Sequence, residues 1–475
     1  MTEVLTPDIC VIGGGSGGLS VAAAAAAFRV PVVLIEHGKM GGECLNTGCV
    51  PSKSLIAAAK HARAIAQARA FGLSAHGLDI DFGKVHRRIH DVIAAIAPND
   101  SKERFTGLRV RVIQGTARFT DAETVRVGYG IAIKARRFVI ATGSVPSLPP
   151  IEGLKETPHL TSETVFDLTR RPEHLIVIGA GAIGLELAQA FRRLGAAVTV
   201  LDAAQPLARE DPECARVVLD ALADEGVDVR GNVAVARVEK VDGKIKVVLR
   251  GKDGEHTITG SHLLVATGRR ANAEGLDLER AGIAHDGAGI LVDRGLRTAN
   301  KRVYAIGDVA GGAQFTHLAN YHAGLIMRDV LFRLPVRVNE QLVPRVTFTD
   351  PELAQVGYTE AQAQQRRYSI RVLRWPYREN DRAQAEGETR GHIKVITTPR
   401  GRILGATIAG SQAGELISAW SLAISQNLNI RAFTGMVLPY PTRAEIGKRA
   451  ALNYFLPGAT NALVQRIIVL LRRFG

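Results

Sequence analysis

Cys44 and Cys49 lie five residues apart in the run Gly41-Gly42-Glu43-Cys44-Leu45-Asn46-Thr47-Gly48-Cys49-Val50-Pro51-Ser52-Lys53, with a lysine four residues beyond the second thiol. Five residues of regular helix rise ~7.5 Å. A disulfide needs Cα atoms closer than about 7 Å. If the two pair, the backbone between them must leave helix geometry, and Gly48 is the residue that permits it. The chemistry on offer is a redox disulfide, made and broken. The remainder of the chain must then show where its electrons come from.

Two segments answer that question. Asp8-Ile9-Cys10-Val11-Ile12 is a short apolar strand running into Gly13, Gly15 and Gly18, spaced G-x-G-x-x-G, and then a helix rich in alanine. The next strand, Val32-Val33-Leu34-Ile35, ends at Glu36, 23 residues after Gly13. This is the dinucleotide fingerprint in its required strand–turn–helix–strand setting. The glycines bring backbone to a pyrophosphate at a helix N-terminus, and the carboxylate takes ribose hydroxyls. Leu175-Ile176-Val177-Ile178 repeats the pattern, with Gly179, Gly181 and Gly184 and then Val198–Leu201 ending at Asp202, again 23 residues after the first glycine. Two dinucleotide sites suit two cofactors exchanging electrons. Ala141-Thr142-Gly143 and Ala266-Thr267-Gly268 each follow a buried strand and mark the end of each lobe. Tyr304–Ile306 leads into Gly307-Asp308, and Thr316-His317-Leu318-Ala319 opens a helix through about Phe332.

From Pro344 the texture changes to strands around an Asp350-Pro351 turn, a helix start at Thr359, a hairpin across Pro399-Arg400-Gly401, and helices near Glu415–Gln426 and Arg443–Phe455. This is a separate α+β domain with no nucleotide motif, and an interface role is its natural reading. The expected division is 1–150 for a first dinucleotide domain, 151–272 for a second, 273–342 for a return to the first, and 343–475 for the interface domain.

Bulk properties narrow the class. At 475 residues several domains are expected. Four cysteines exclude a secreted disulfide scaffold. Met1–Pro7 has no leader character and no window reaches the ~18 apolar residues of a membrane span, so a soluble cytoplasmic protein is expected. The net charge of +14 is scattered, without an aromatic-interleaved basic tract, which argues against nucleic acid as a partner. Cys10 and Cys214 have no partner at motif spacing, and no metal-ligand cluster is evident. The segment Leu463–Phe474 places Leu463, Val464, Ile467, Ile468, Leu470, Leu471 and Phe474 with Arg466, Arg472 and Arg473. It reads as a basic amphipathic helix that either touches an anionic membrane peripherally or packs on its own domain.

Across its whole length the chain resembles the class I pyridine nucleotide–disulfide oxidoreductases: dihydrolipoamide dehydrogenase, glutathione reductase and the catalytic core of mercuric reductase. Gly42–Lys53 is the most specific match. The resemblance implies an α/β fold of two Rossmann-like domains, for FAD and for NAD(P), plus a C-terminal α+β dimerisation domain forming a homodimer. It implies Cys49 next to the flavin as thiolate, with its pKa lowered by the flavin and the lysine. Cys44 is then the exchange thiol, and Lys53 is paired with Glu186 near the reactive flavin nitrogen. FAD contacts are implied at Gly13, Gly15, Ser16, Gly18, Glu36, Gly42, Thr47, Gly48, Lys53, Ala117, Ala141, Thr142, Gly143, Gly307, Asp308, Thr316, His317, Leu318 and Ala319. NAD(P) contacts are implied at Gly179, Gly181, Ile183, Gly184, Glu186, Asp202 and Gly268. The helix opening at Thr316 would favour negative charge on reduced flavin. Asp202 accepts from a free ribose 2′-hydroxyl and repels a 2′-phosphate, so NADH is the preferred donor, while Arg209 keeps NADPH open.

The chain departs from this pattern near its C-terminus. The disulfide reductases carry His-Pro-Thr-x-x-Glu; here the stretch is Tyr440-Pro441-Thr442-Arg443-Ala444-Glu445. Glu445 is kept, but a tyrosine of pKa ~10 does not match a histidine near ~6.5 as a base. A tyrosine there resembles mercuric reductase, yet no vicinal cysteine pair follows Cys214 and no metal-carrier domain precedes Cys10. Three readings follow. The first is a reductase passing electrons through Cys44/Cys49 to a thiol-reactive acceptor, a thiophilic metal ion or an unusual small disulfide. The second is a conventional dihydrolipoamide dehydrogenase-type enzyme. The third is a membrane-docked partner reducing a quinone or a protein.

Overall fold

Uninterrupted apolar strands need cover on both faces, as in a parallel sheet. In the computed structural model, which describes residues 2–74, 77–251, 254–459 and 461–474, Ile9–Ile12 is such a strand, buried throughout. It is the middle of five parallel strands, flanked by Val32–Glu36 and Arg137–Ile140, with Arg111–Gln114 and Val303–Ala305 outside them. Met1 and Gly475, the ends of the expected first and last domains, lie outside the described residues.

The helix Ser16–Ala27 lies on this sheet through Leu19, Val21, Ala22 and Ala25. Its small side chains let the helix Thr316–Phe332 come close. A Cβ on Gly17 would stand 3.2 Å from the Cβ of Ala319, so a larger residue there would push the two helices apart. The second fingerprint repeats the arrangement. Leu160–Thr161, His262–Val265, His174–Ile178 and Ala197–Leu201 run parallel, in that order. The helix Ala182–Arg193 follows the Gly-rich turn and buries Gly184 to Phe191 without a break. Three antiparallel strands, 234–260, close one side of that core with Val247 and Leu249.

The chain forms two compact units. One runs to Ala203 and includes Val233–Val338; the other comprises Ala204–Asn232 and the residues from Asn339 on. The second unit holds an all-antiparallel five-stranded sheet, in the order Arg345–Thr347, Glu352–Gly357, Ile403–Gly410, His392–Thr397, Arg371–Pro376. Its core includes Trp420 stacked on Phe433 at 3.8 Å between ring centroids. Thr359 begins its helix with a capping box to Gln362.

Two expected helices shift. The first is Ala413–Ser425. The second is Glu445–Leu452, shorter than Arg443–Phe455. The Arg443 side chain is engaged in half-buried ion pairs with Glu386 and Glu388, the latter at 2.6 Å. The tail forms a helix at Ala462–Leu471, capped by Asn461, with no buried residue. Among the described residues no single helix is long and apolar enough to cross a membrane.

Candidate active site

The helix Gly42–Asn46 stops at Thr47, and a new helix, Cys49–Gln67, starts after Gly48. The two cysteines therefore sit on different helices. Gly48 has an ordinary negative φ. Its smallness leaves room for a neighbour: a Cβ there would lie 2.6 Å from Oε1 of Glu43 and 3.1 Å from the Glu43 carbonyl oxygen. Both cysteines are free thiols.

Cys49 Sγ is 3.4 Å from the Thr316 hydroxyl, at the start of a helix without a side-chain cap. The hydrogen bond from Cys44 draws the Cys49 thiol down to about 6 against the effect of burial, and Thr316 and Lys53 add to it. The same bond, with burial, pushes Cys44 the other way. One sulfur is thus built to carry negative charge and the other to hold a proton. Lys53 lies one turn along from Cys49 and reaches Glu186 Oε2 at 2.8 Å. That pair ties the cysteine helix to the helix of the second fingerprint.

The two Gly-rich turns are near copies. Gly13 and Gly179 both have φ of +111°. A Cβ on Gly13 would sit 2.3 Å from the Ala141 carbonyl oxygen, and one on Gly179 would sit 2.4 Å from that of Ala266. A Cβ on Gly18 or on Gly184 would meet the carbonyl oxygen of its own first glycine at 1.9 Å. Glu36 Oε2 accepts from the Gly14 N–H at 2.5 Å, and Asp202 Oδ2 accepts from the Ala180 N–H at 2.6 Å. Neither helix start, after Gly15 or Gly181, has a side-chain cap.

The turns differ at their middle glycine. Gly15 faces Gly42, whose Cα is 3.8 Å from a Cβ built there, whereas Gly181 faces open space. Uncapped N–H groups, backbone that only glycine can provide, and an acid at the second strand's end fit a pyrophosphate and a ribose in each lobe. Ser16 and Ile183 stand in the first turns of these helices, with Ile183 exposed.

Other expected contacts gather around the first lobe. Thr142 donates its hydroxyl to Asn272 O at 2.6 Å. Gly143 and Gly307 have positive φ, as does Gly268 of the expected NAD(P) set in the second lobe. The Gly307 N–H donates to His322 Nδ1 at 3.2 Å. His317, Leu318 and Ala319 form the first turn after Thr316. Ala117 is buried in the core under the first sheet.

Sequence reasoning did not assign Arg269, Ser144, Glu163 or Glu43. Arg269, 7% exposed in its side chain, lies 3.2 Å from Glu43 Oε1 and 3.3 Å from Glu163 Oε1. It also donates to the Ser144 hydroxyl at 2.8 Å, and that hydroxyl donates to Asp308 Oδ2 at 2.6 Å. Burial raises the Asp308 carboxyl, opposed by Ser144 and Arg269. Burial also raises Glu43, to about 7, with Cys49, Asp308 and Glu163 adding to the shift against Arg269. Proximity to motifs was the available signal, since Glu43 precedes Cys44 and Arg269 follows Gly268.

A cavity of ≈ 330 Å³ opens beside the thiols, lined by Cys44, Ser16, Leu45, Val50, Arg104 and Thr316 among others; Cys49 does not line it but is the more exposed of the two thiols. Tyr440 and Glu445 belong to the second unit. Tyr440 is exposed and donates its hydroxyl to Asp381 Oδ2 at 2.8 Å. That bond holds the phenol above its ordinary pKa, so it keeps its proton more firmly than a free tyrosine. Glu445 opens the helix Glu445–Leu452.

A dithiol beside two dinucleotide turns, one sulfur poised as thiolate, is the centre of an oxidoreductase that moves electron pairs. Comparison with known proteins supplies the family. Residues 7–323 match the pyridine nucleotide-disulphide oxidoreductase family and residues 343–451 match its dimerisation domain. The chain belongs to this family. It is an FAD-dependent oxidoreductase that draws electrons from NAD(P)H, and its dimerisation domain makes it a homodimer. It is 36% identical to a mercuric reductase of Lysinibacillus sphaericus over 451 residues, 94% of this chain and 82% of that protein. It is 33% identical to a dihydrolipoyl dehydrogenase of Geobacillus stearothermophilus, covering 94% and 95%. Among solved structures it resembles the Cu(II) complex of the HOCl-induced flavoprotein disulfide reductase RclA from Escherichia coli, with a TM-score of 0.85 at 28% identity, covering 95% and 100%.

Proposed function

We propose that the chain is a cytoplasmic reductase that carries electrons from NADH to a small thiol-reactive acceptor through Cys49 and then Cys44. The carrying observation is the asymmetry of the two sulfurs. Cys49 is drawn toward the thiolate by Cys44, Thr316 and the Lys53 charge, while Cys44, which lines the cavity, is held protonated by the same contact. FAD, held by the turn at Gly13–Gly18 with Glu36 and Asp308, supplies two-electron chemistry when bound. Lys53, fixed by Glu186, and the open helix end at Thr316 favour negative charge beside it. NADH enters at Gly179–Gly184, where Asp202 is already aimed by the Ala180 N–H. Cys44 holds its proton beside the Cys49 thiolate and gives it up only on meeting the acceptor as the exchanging sulfur.

Among acceptors, a thiophilic metal ion is favoured by the mercuric reductase relatives at 34–36% identity. A tyrosine in place of the histidine, its hydroxyl committed to Asp381, also suits an acceptor that leaves no basic thiolate to be protonated. The exposed helix Ala462–Leu471, with Arg466 and the following Arg472 and Arg473, supports a secondary peripheral contact with an anionic lipid surface.

The test is anaerobic titration of the flavin-loaded enzyme with NADH, followed by an acceptor screen that includes Hg(II) and lipoamide. A long-wavelength charge-transfer band that vanishes in Cys49→Ser is expected. Cys44→Ser should keep the band and lose turnover. Full turnover in Cys44→Ser would remove the dithiol from the reaction.

A further inference from the structure

The helix that carries Cys44 also carries a carboxyl facing into the loop between the two thiols. Glu43 Oε1 occupies the space that a side chain at position 48 would need, 2.6 Å from a Cβ built there. It thus fills the ground between the end of one cysteine helix and the start of the other. Its ion-pair partner is Arg269, at 3.2 Å, and that guanidinium is shared. Glu163 lies 3.3 Å from it, and Asp308 is linked to it through the Ser144 hydroxyl.

Three carboxyls therefore face one guanidinium. Burial and the neighbouring like charges both favour a proton on Glu43 over its ionised form. Glu43 is the member beside the sulfurs, and a charge on Cys49 adds a fourth negative group to its surroundings. The other groups acting on Cys49 are Cys44 and Thr316 by hydrogen bonds, with Lys53 and Glu186 of opposite sign.

Resting on the dithiol reading above, we infer that Glu43 is the second proton site of the reduced centre, taking up the proton that Cys49 does without. Cleaving the Cys44–Cys49 S–S bond takes two electrons, which the nicotinamide donor delivers as a hydride, and leaves two sulfur charges. Two protons compensate them, one carried by the hydride and one from solvent. One makes the Cys44 S–H. The other neutralises the Glu43 carboxylate, so Cys49 remains a thiolate without a net gain of charge in the cluster. Glu43 is a positioning group for that charge and does not itself touch the acceptor. When the two electrons pass to the acceptor and the S–S bond reforms, Cys44 and Glu43 each release one proton, to the reduced acceptor or to solvent. No second subunit and no tyrosine is needed for the step.

The test reads the thiolate and not turnover. Reduced, flavin-loaded enzyme is titrated between pH 5 and 9 while the charge-transfer absorbance is followed. In parallel, the reduced chain is alkylated with iodoacetamide and Cys49 is quantified by mass. In the native enzyme the thiolate signal rises in two steps, because ionisation of Glu43 opposes that of Cys49. Glu43→Gln should give a single step displaced by roughly one pH unit to acid. Glu163→Gln relieves the competition for Arg269, so it should keep both steps and move the upper one to lower pH. The alkylation arm does not require bound flavin, so Cys49 can be titrated even in a Glu43 variant that has lost its cofactor. The Glu163 variant leaves the cysteine helix intact. Curves for Glu43→Gln that superimpose on the native ones would reduce Glu43 to a passive ion-pair partner and overturn the inference. A native reduced enzyme with no charge-transfer band at any pH would instead sink the underlying dithiol reading.

Discussion

Lys53 and Glu186 join two helices across the redox centre at 2.8 Å, with side chains 38% and 6% exposed. Lys53→Met removes the ammonium and leaves the buried carboxylate without that charge. Breaking a fully buried pair from one side costs 3–5 kcal/mol. Because Lys53 reaches solvent, the pair is partly screened, and about 2 kcal/mol is a fitting magnitude. For a unit of this size that lowers Tm by roughly 4 °C. Glu186→Leu leaves the charge on the side that water reaches, and should cost only about half as much. The double variant should recover most of the loss, since replacing both partners removes the stranded charge. The cycle therefore predicts a coupling of at least ~1 kcal/mol.

The thiol reports with its own signs. Lys53 lowers the Cys49 pKa and Glu186 raises it. Lys53→Met should move the pH of half-maximal Cys49 alkylation upward, Glu186→Leu should move it downward, and the double variant should lie between them. Thermal melts and mass-resolved alkylation on the four proteins measure both. A double variant no more stable than Lys53→Met, or a Cys49 titration unmoved by Lys53→Met, refutes the argument.

The remaining predictions concern the same unit and the tyrosine. Gly184→Ala drives a Cβ to 1.9 Å from the Gly179 carbonyl oxygen, so the turn must open. NADH affinity should fall at least about tenfold, since ~1.4 kcal/mol of the 1–3 kcal/mol overpacking cost is enough, while bound flavin, read from absorbance, is retained. Thr316→Val deletes a hydrogen bond that lowers the Cys49 thiol. Its alkylation midpoint should rise from near pH 6 by about half a unit, and a fall would contradict the assignment. Tyr440→Phe removes one exposed hydrogen bond to Asp381. Tm should hold within about 1 °C, and turnover with a disulfide acceptor should drop more than turnover with Hg(II).

What was legible in the sequence follows from how locally each feature is specified. The fingerprint turns could be read because glycine spacing, strand and acid all fall within a few tens of residues. The φ of +111° at Gly13 and Gly179 is what that spacing encodes. The break between Cys44 and Cys49 was legible as well, but its cause was not. Freedom at Gly48 was the sequence argument, whereas crowding by Glu43 is what the structure supplies. The Arg269 cluster draws on four separated segments, at residues 43, 144, 163 and 308, and no periodicity connects them. The last core helix starts at Glu445, two residues later than expected, with the Arg443 carbonyl accepting from the Ile446 N–H in the turn that leads into it.

The difference between the two otherwise matched turns has a kinetic consequence. In the first, the middle glycine is covered by Gly42, so whatever occupies that turn is enclosed by the segment bearing the reactive sulfur. In the second, the middle glycine looks onto open space. Enclosure lengthens residence time and openness shortens it, as departure from a covered site waits for the cover to move. One lobe is thereby fitted for a resident that survives many cycles, and its twin for a visitor that must leave once per turnover.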